Sequence, residues 1–245
     1  MIDTHAHIDR EEAGEVMARA RRAGVDRVIA IATTAAGARD ALQIADEHEG
    51  VFASLGIHPH EAGGEEADRL EELRDLLDRP RAVAVGETGL DYYRDYAPHD
   101  AQAALFERQL ALARETGKPV VVHTRAADAD TITHLRRFDG TVILHCFSSA
   151  ALLETALERR YYVSFAGNVT YKNAYDLRAA ARAVPADLLL VETDSPYLAP
   201  QAVRGTRNEP ANVVHILEAL ASARGEDAAA LAAEIDANAT AAFGL

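Results

Sequence analysis

Two histidines near the start of the chain, His5 and His7, are separated by a single residue. Alternate side chains of a β-strand point to the same side, so a strand here directs both imidazoles towards one cation. On that interpretation the alternate positions pack outward, away from the histidines: Ile2, Thr4, Ala6 and Ile8. The spacing therefore predicts the first half of a metal site.

Four further residues of ligand type each follow an apolar run: Glu87, His123, His145 and Asp194. One cation with four to six positions does not use six such groups comfortably, whereas two cations that share a bridging carboxylate do. Glu87 lies between the two histidine pairs in chain order, so we predict that it is the bridge. Mixed imidazole and carboxylate ligation suits zinc or manganese, and magnesium where fewer histidines bind.

A pair of cations in such a site is typical of hydrolysis, because water held between them supplies hydroxide near neutral pH. Asp194 is predicted to orient that water and accept its proton as general base. His58 and an arginine are predicted to neutralise the charge that develops on the substrate. The residues expected to take part in catalysis are Asp194, Glu87 and His58.

Basic side chains close to these positions suit an anionic substrate, since arginine donates paired, charge-assisted hydrogen bonds to phosphate. The candidates for binding substrate phosphate are His58, His60, Arg94 and Arg207. Simpler roles stay open: Arg94 pairs with a neighbouring aspartate, Arg207 pairs with Glu209, and His60 caps the following helix. Three tyrosines either stack on bases or only cover the surface around the site: Tyr92, Tyr93 and Tyr96.

The elements that must position these groups alternate along the whole chain. Apolar runs predict strands at residues 1–8, 25–31, 51–57, 82–87, 120–123, 142–145, 161–165 and 188–191. Helical spacing predicts helices at residues 11–23, 36–47, 68–77, 100–116, 129–138, 150–159, 174–183 and 213–224, with one or two further turns within 227–241. This order predicts a single (β/α)₈ TIM barrel over residues 1–245, with the ligands at the carboxyl ends of its strands. A doubly wound open sheet is the alternative, but no glycine-rich loop follows the first strand.

Composition narrows the class of protein. Of the 245 residues 49% are hydrophobic and 26% charged, as in globular proteins. The formal net charge of −14 argues against a protein that coats duplex DNA, although an enzyme that grips one phosphodiester remains compatible with it. Cys146 is the only cysteine, which excludes an internal disulfide, and we interpret it as a small buried apolar residue. Without a leader or a long apolar run, we expect a cytoplasmic protein with no membrane association and no obligate partner protein.

Seven short blocks together resemble the TatD family of metal-dependent, deoxyribonuclease-like hydrolases. They are His5-Ala6-His7, Gly56 to His60, Gly86 to Asp91, Val122-His123, His145 to Ser148, Glu192 to Leu198 and Arg204 to Asn212. The resemblance implies a TIM barrel and metal-dependent cleavage of phosphodiesters, with DNA 3′ ends, single-stranded DNA or a small phosphodiester as substrate. It also implies six metal ligands by position: His5, His7, Glu87, His123, His145 and Asp194. Ser149-Ala150 departs from the pattern where a glycine is expected, which affects a loop and removes no ligand.

Two other functions share part of this pattern. An amidohydrolase-type lactonase, esterase or phosphotriesterase also has His-x-His and a final aspartate, but many such enzymes bridge their metals with a carbamylated lysine on a strand. The lysines here are Lys118, which precedes the fifth predicted strand, and Lys172, which lies in a predicted loop. A metal-binding scaffold without turnover is the least favoured function, because it does not need a base such as Asp194.

Overall fold

The computed structural model describes residues 1–245, and its eight parallel strands pair in chain order. They are β1 (Ile2–Ala6), β2 (Arg27–Ile31), β3 (Val51–Leu55), β4 (Ala82–Asp91), β5 (Val120–Arg125), β6 (Val142–Leu144), β7 (Tyr162–Phe165) and β8 (Leu189–Val191). The His7 N–H donates to Ser195 O at 2.8 Å and the Asp194 N–H donates to His5 O at 2.9 Å. These bonds join the segment after β8 to β1, so the sheet closes as the predicted TIM barrel.

Helices follow the strands and cover the outside of the sheet. They are α1 (Ala13–Arg22), α2 (Ala35–Glu47), α3 (Leu70–Leu77), α4 (His99–Thr116), α5 (Asp128–Leu135), α6 (Ala150–Arg159), α7 (Tyr175–Ala183), α8 (Val213–Arg224) and α9 (Ala228–Phe243). The main core cluster of 59 buried residues lies between these helices and the strands. No helix has the length and apolar character needed to cross a membrane.

The last helix is longer than the sequence predicted. In place of one or two turns, α9 has 16 residues, and the Asp227 side chain caps it by accepting from the Ala230 N–H. Ala239, Ala242 and Phe243 pack with Ile2 and Leu190 in a second core cluster. This helix therefore closes the amino-terminal end of the barrel, and its alanine-rich sequence gave little apolar contrast from which to predict it.

The first strand is irregular, which changes the faces expected for its residues. Its register with β2 shifts between Asp3 and Ala6. Ile2 belongs to the second core cluster. Thr4 Oγ1 donates to Val191 O at 2.9 Å and lies 3.2 Å from Ser164 Oγ. The prediction that Ile2 and Thr4 pack outward is therefore wrong. Between Asp3 and Ala6, β1 contains one residue more than β2. This extra residue lets the His5 side chain point into the barrel although the preceding Thr4 also points inward.

The fourth strand is also longer than predicted, and its register with β5 shifts between Val85 and Thr88. A Cβ on Gly89 would lie 1.9 Å from His123 O, and a Cβ on Gly86 would lie 2.6 Å from Val121 O. Both positions therefore need glycine, because the backbones of β4 and β5 approach too closely for any side chain. The irregularity lies at Glu87 and directs its carboxylate into the barrel mouth.

Candidate metal centre

Glu87 is the central residue of the site. Its carboxylate is buried, and its two oxygens face different sets of imidazoles. Oε1 lies 2.8 Å from His123 Nδ1, 3.1 Å from His145 Nε2 and 3.5 Å from His58 Nε2. Oε2 lies 3.4 Å from His5 Nε2 and 3.8 Å from His7 Nε2. This is the arrangement expected of a carboxylate that bridges two cations.

Asp194 lies on the side of His5 and His7, beside the first strand as predicted. Its Oδ1 is 3.8 Å from His5 Nε2 and 3.7 Å from His7 Nε2. It stands three residues beyond the end of β8, with a positive φ of 52°. The sequence also allows Asp194 to act as a cap for a helix from Ser195 onward, but in the structure its side chain caps no helix.

The donor set fits a divalent cation. His5 is fully buried, and neither of its ring nitrogens has a hydrogen-bond partner. A buried polar atom without a partner is costly, yet Nε2 faces the carboxylates of Glu87 and Asp194. Ligand-type atoms converge within 4.8 Å in three sets: His5 with Glu87 and His145, His5 with His7 and Asp194, and His58 with Glu87 and His123. A cation would give His5 the partner that the protein does not provide.

The electrostatic environment keeps both central carboxylates ionised. Burial alone would raise the pKa of Glu87, but the charges of His145 and His58 and the hydrogen bond with His123 outweigh it and hold this pKa well below its ordinary value. Burial also acts to raise the pKa of Asp194, and the hydrogen bond with His7 and the charge of His145 lower it instead. Both groups are therefore anionic at neutral pH, as metal ligation and proton acceptance require.

Two buried carboxylates to which the sequence assigned no role orient the histidines. Glu192 Oε1 accepts from His145 Nδ1 at 2.8 Å. Asp91 Oδ2 lies 3.1 Å from His123 Nε2. A carboxylate on the far nitrogen of a ligating histidine fixes its ring and tautomer. The available signal was their position, since Asp91 ends β4 and Glu192 directly follows β8.

His58 and His60 occupy different positions relative to the centre. The His58 ring faces Glu87, and its Nδ1 accepts from the His60 N–H at 3.1 Å. His58 therefore caps the short 3₁₀ turn Pro59–Glu61, and the alternative that His60 is the cap is wrong. His60 Nε2 instead lies 2.9 Å from Asp91 Oδ2, so His60 contacts Asp91 and not Glu87.

Comparison with known proteins agrees with this geometry. A family model described as TatD related DNase matches residues 2–244. The chain belongs to the TatD family. It is 40% identical over 238 residues to the uncharacterized metal-dependent hydrolase YcfH of Escherichia coli K12, a match that covers 92% of this chain and 88% of that protein. It is 37% identical over 241 residues to a protein of Erwinia amylovora named 3′-5′ ssDNA/RNA exonuclease TatD, covering 94% and 93% of the two chains.

A solved structure supports the same family assignment. The crystal structure of YJJV, a TatD homolog from Escherichia coli K12, superimposes with a TM-score of 0.93 at 31% identity, covering 100% of this chain and 98% of that one. The predicted family and TIM-barrel fold are thus confirmed. This TatD-family chain is a hydrolase that uses divalent metal.

The two arginines predicted to bind phosphate lie outside the ligand cluster. Arg94 is exposed and forms no ion pair, so the alternative pairing with a neighbouring aspartate is wrong. Arg207 pairs with Glu12 at 2.5 Å, whereas Glu209 pairs with Arg19, so the alternative Arg207–Glu209 pair is also wrong. Arg207 lines a cavity of about 160 Å³ that also includes His7, which keeps it near the centre.

The tyrosines of the loop after β4 differ in their contacts. Tyr92 stacks on His99 at 3.7 Å between ring centroids and donates its hydroxyl to Asp130, and burial together with that bond raises its pKa to about 12. The Arg125 guanidinium lies 4.0 Å from the centre of the Tyr93 ring. Tyr92 is therefore engaged within the protein, which disfavours it as a base-stacking residue.

Cys146 is less buried than the small apolar core residue that the sequence predicted. The strand β6 ends at Leu144, and Cys146 has a positive φ of 46° and is only half-buried. Its N–H donates to Glu192 Oε1 at 2.6 Å. Burial and the nearby carboxylates of Asp194 and Glu192 raise the pKa of its thiol well above the ordinary value, so it stays protonated.

Proposed function

We propose that this protein is an exonuclease that removes nucleotides from the 3′ ends of unpaired DNA, with two divalent cations held around Glu87. The observation that carries the proposal is that Oε1 and Oε2 of this one buried carboxylate face separate sets of histidines. The relatives named 3′-5′ ssDNA/RNA exonuclease, from Erwinia amylovora and Klebsiella pneumoniae, support the substrate class. Imidazole and carboxylate donors favour zinc or manganese over magnesium.

In this proposal, one set of side chains holds each cation. His5, His7 and Asp194 would form the first set. His123 and His145, which both face Oε1 of Glu87, would form the second. Glu87 belongs to both. Bound cations supply Lewis-acid polarisation of a phosphoryl oxygen and lower the pKa of water.

The protein's own groups move the proton and neutralise charge. Asp194, ionised at neutral pH, accepts at its carboxylate the proton of the attacking water. His58 lies beside Glu87 and faces the second set, where it donates to a phosphate oxygen. Glu87 holds the imidazoles of both sets in position, because each of its two oxygens faces one set.

Arginines at the rim position the rest of the strand. Arg207 pairs with Glu12 through an exposed contact, and such surface pairs contribute little to stability. A substrate phosphate can therefore replace Glu12 at small cost, with two parallel hydrogen bonds from the guanidinium. Arg94 is exposed and has no ion pair to break.

The charge of the protein favours unpaired ends. At a net charge of −14 the surface gives little of the counterion release that drives binding to duplex DNA. DNA binding therefore depends on the metal centre and on the arginines beside it. Only an accessible end of a DNA strand can enter this site. Tight, salt-resistant binding to intact duplex would contradict the proposal.

The position of the lysines disfavours a lactonase or phosphotriesterase with a lysine bridge. Lys118 Nζ donates to Ala82 O, at the opposite end of β4 from the centre. Lys172 is exposed in the segment between β7 and α7. Neither approaches Glu87, which occupies the bridging position.

The test compares four substrates with manganese- or zinc-loaded protein: single-stranded DNA labelled at either end, the matched duplex, a lactone and a nitrophenyl phosphodiester. The expected result is stepwise shortening from the 3′ end of the single strand, lost in Glu87→Gln and retained in Glu107→Gln, whose carboxylate lies outside the centre beside His134. Shortening from the 5′ end, or preferred hydrolysis of the lactone, would overturn the proposal.

A further inference from the structure

Four large aromatic side chains are strongly exposed, and two of them lie against histidines in the centre or beside it. The Tyr96 ring is 66% exposed, with its centroid 4.8 Å from that of His60. The Tyr197 ring is 62% exposed, with its centroid 5.9 Å from that of His7. Exposed aromatic surface beside a functional site is typical of ligand contact.

The two rings stand on opposite sides of the barrel mouth. Tyr96 lies in the loop after β4 and Tyr197 lies in the segment after β8. In a closed ring of eight strands in chain order, β4 and β8 are four strands apart in either direction. The loops that carry the tyrosines therefore face each other, with the Glu87 centre between them.

Their hydroxyl groups form no hydrogen bond within the protein, in contrast to other tyrosines. Tyr92 donates to Asp130, and Tyr171 donates to Ala199 O. The other two exposed rings are covered by guanidinium groups, Tyr93 by Arg125 and Tyr175 by Arg178. Tyr96 and Tyr197 are thus the exposed aromatic rings that no cation covers.

We propose that Tyr96 and Tyr197 are nucleobase-stacking residues that hold the bases on the two sides of the scissile phosphodiester. This inference rests on the proposed nuclease function and specifies how that site recognises its substrate. Every base presents a π-face, so such contacts bind without sequence preference. Bases within a duplex stack on their neighbours, so their faces are not free for a tyrosine. Stacking also does not require a net positive charge on the protein, and this chain has a net charge of −14. Two stacking residues therefore explain selection of an unpaired strand.

The test is a double-mutant cycle between each tyrosine and a base. Single-stranded DNA is compared with the same strand carrying a stable tetrahydrofuran abasic nucleotide, placed either at the 3′ terminus or one position before it. In the wild type, removing a stacked base should raise KM about tenfold, with kcat changed much less. Tyr197→Ala or Tyr96→Ala should raise KM on the intact strand by a similar factor. In each alanine variant, removing the base that the missing tyrosine stacks on, at one of the two abasic positions, should raise KM no further.

Controls separate stacking from structural damage. Tyr96→Phe and Tyr197→Phe keep the ring and should retain the wild-type KM, while Tyr175→Ala, at a similarly exposed tyrosine that Arg178 covers, should change nothing. Hydrolysis of a small methyl nitrophenyl phosphodiester with no base to stack should be unchanged in both alanine variants. A spectroscopic readout is also available, because the chain contains no tryptophan. An uncleavable oligonucleotide with 2-aminopurine at the stacked position should be quenched by wild type and not by the alanine variant.

The outcomes distinguish this inference from the proposed function. If wild type shortens single-stranded DNA but both alanine variants keep the wild-type KM and quenching, the stacking role is wrong and the nuclease function stands. Equal losses on DNA and on the small phosphodiester would also overturn it, since they indicate a damaged centre. If wild type hydrolyses the small phosphodiester but not DNA, the proposed function fails and this inference fails with it.

Discussion

Glu192 accepts a hydrogen bond from Nδ1 of His145 at 2.8 Å, which leaves Nε2 of that ring facing Glu87. Across the site the relation is reversed, because Asp91 lies at Nε2 of His123 and Nδ1 faces Glu87. The two buried carboxylates therefore hold the two imidazoles by opposite nitrogens, and each ring directs its other nitrogen towards Glu87. A cation bound at the centre would take that inner nitrogen as its ligand.

Removing the carboxylate of Glu192 should weaken metal binding, although Glu192 is not one of the predicted metal ligands. In Glu192→Ala we expect about a 10- to 100-fold loss of metal affinity, because His145 loses the group that fixes its ring. Chelator competition measures this loss. Glu107→Ala is the matched control, since Glu107 Oε1 contacts His134 Nδ1 outside the centre. An unchanged affinity in Glu192→Ala would show that His145 needs no such support.

The shared carboxylate predicts a specific change in stoichiometry. Protein saturated with zinc or manganese should carry close to two metal equivalents, and Glu87→Ala should bring the value towards one, because both sets of imidazoles lose their common oxygen ligand. Elemental analysis after gel filtration measures the ratio. Glu12→Ala, an exposed glutamate at the rim, should keep both equivalents. A reproducible value of one in the saturated wild type would contradict the two-cation site.

Gly89 should be essential for the geometry of the centre. In Gly89→Ala the new Cβ would lie 1.9 Å from His123 O, so β4 and β5 must separate. We expect a loss of about 3 kcal/mol or more in the free energy of unfolding, together with weaker metal binding. Gly225→Ala is the control, because it also has a positive φ but no atom within 4 Å, and it should cost about 1 kcal/mol. Similar losses in both variants would refute the packing argument.

Much of the fold and the ligand set could be predicted because both follow simple periodic rules. The alternation of apolar runs and helical patterns is strong enough to identify eight strands, and a barrel places their carboxyl ends together. This is why Glu87, His123 and Asp194 could be grouped although they are far apart in sequence. Grouping these ligands requires only the order of the strands and helices along the chain.

The remainder depends on local irregularities that periodicity does not encode. Strict alternation places Thr4 and His5 on opposite faces, but the shifted register of β1 lets both point inward. The role of Asp91 depends on β4 extending beyond the bulge at Glu87, and the two glycines Gly86 and Gly89 obscure that extension in the sequence. The ion pair of Arg207 with Glu12 joins residues 195 positions apart, and only the closed barrel brings them together.

One buried carboxyl group beneath the centre should make a contribution to stability that falls as the pH rises. Burial raises the pKa of Asp3 to about 8 from its ordinary value of 3.8, outweighing its hydrogen bonds from Thr193. The raised folded-state pKa means that Asp3 stabilises fully below pH 3.8, and that this contribution is lost as the pH rises through about 8. The slope is at most about 1.4 kcal/mol per pH unit.

Urea denaturation of chelator-treated protein between about pH 5 and 8 measures this dependence. Asp3→Asn has no titrating group at this position, so the free energy of unfolding of wild type relative to the variant should decrease steadily over the range. Asp26, an exposed aspartate that pairs with the amino terminus, supplies the control variant Asp26→Asn. Parallel curves for wild type and Asp3→Asn would show that Asp3 is already ionised in the folded protein.

Asp194 offers two roles that one substitution can separate. Its Oδ1 faces both His5 and His7, so it is placed to bind a cation and also to accept a proton from the attacking water. Asn keeps an oxygen for coordination and tolerates the positive φ of 52° at this position. The backbone bond from the Asp194 N–H to His5 O is also unaffected by this change. The variant should therefore fold with its barrel closed.

If Asp194 is the general base, Asp194→Asn should retain most of its metal and lose roughly a hundredfold or more in turnover, since an amide cannot accept the proton. Bound metal and turnover on single-stranded DNA are measured on the same preparation. Asp130→Asn, which alters the partner of Tyr92 at the rim, should retain both. Full metal with near wild-type turnover would remove Asp194 from the mechanism. Metal and turnover lost together would leave it a ligand only, because the loss of the cation alone would then account for the loss of activity.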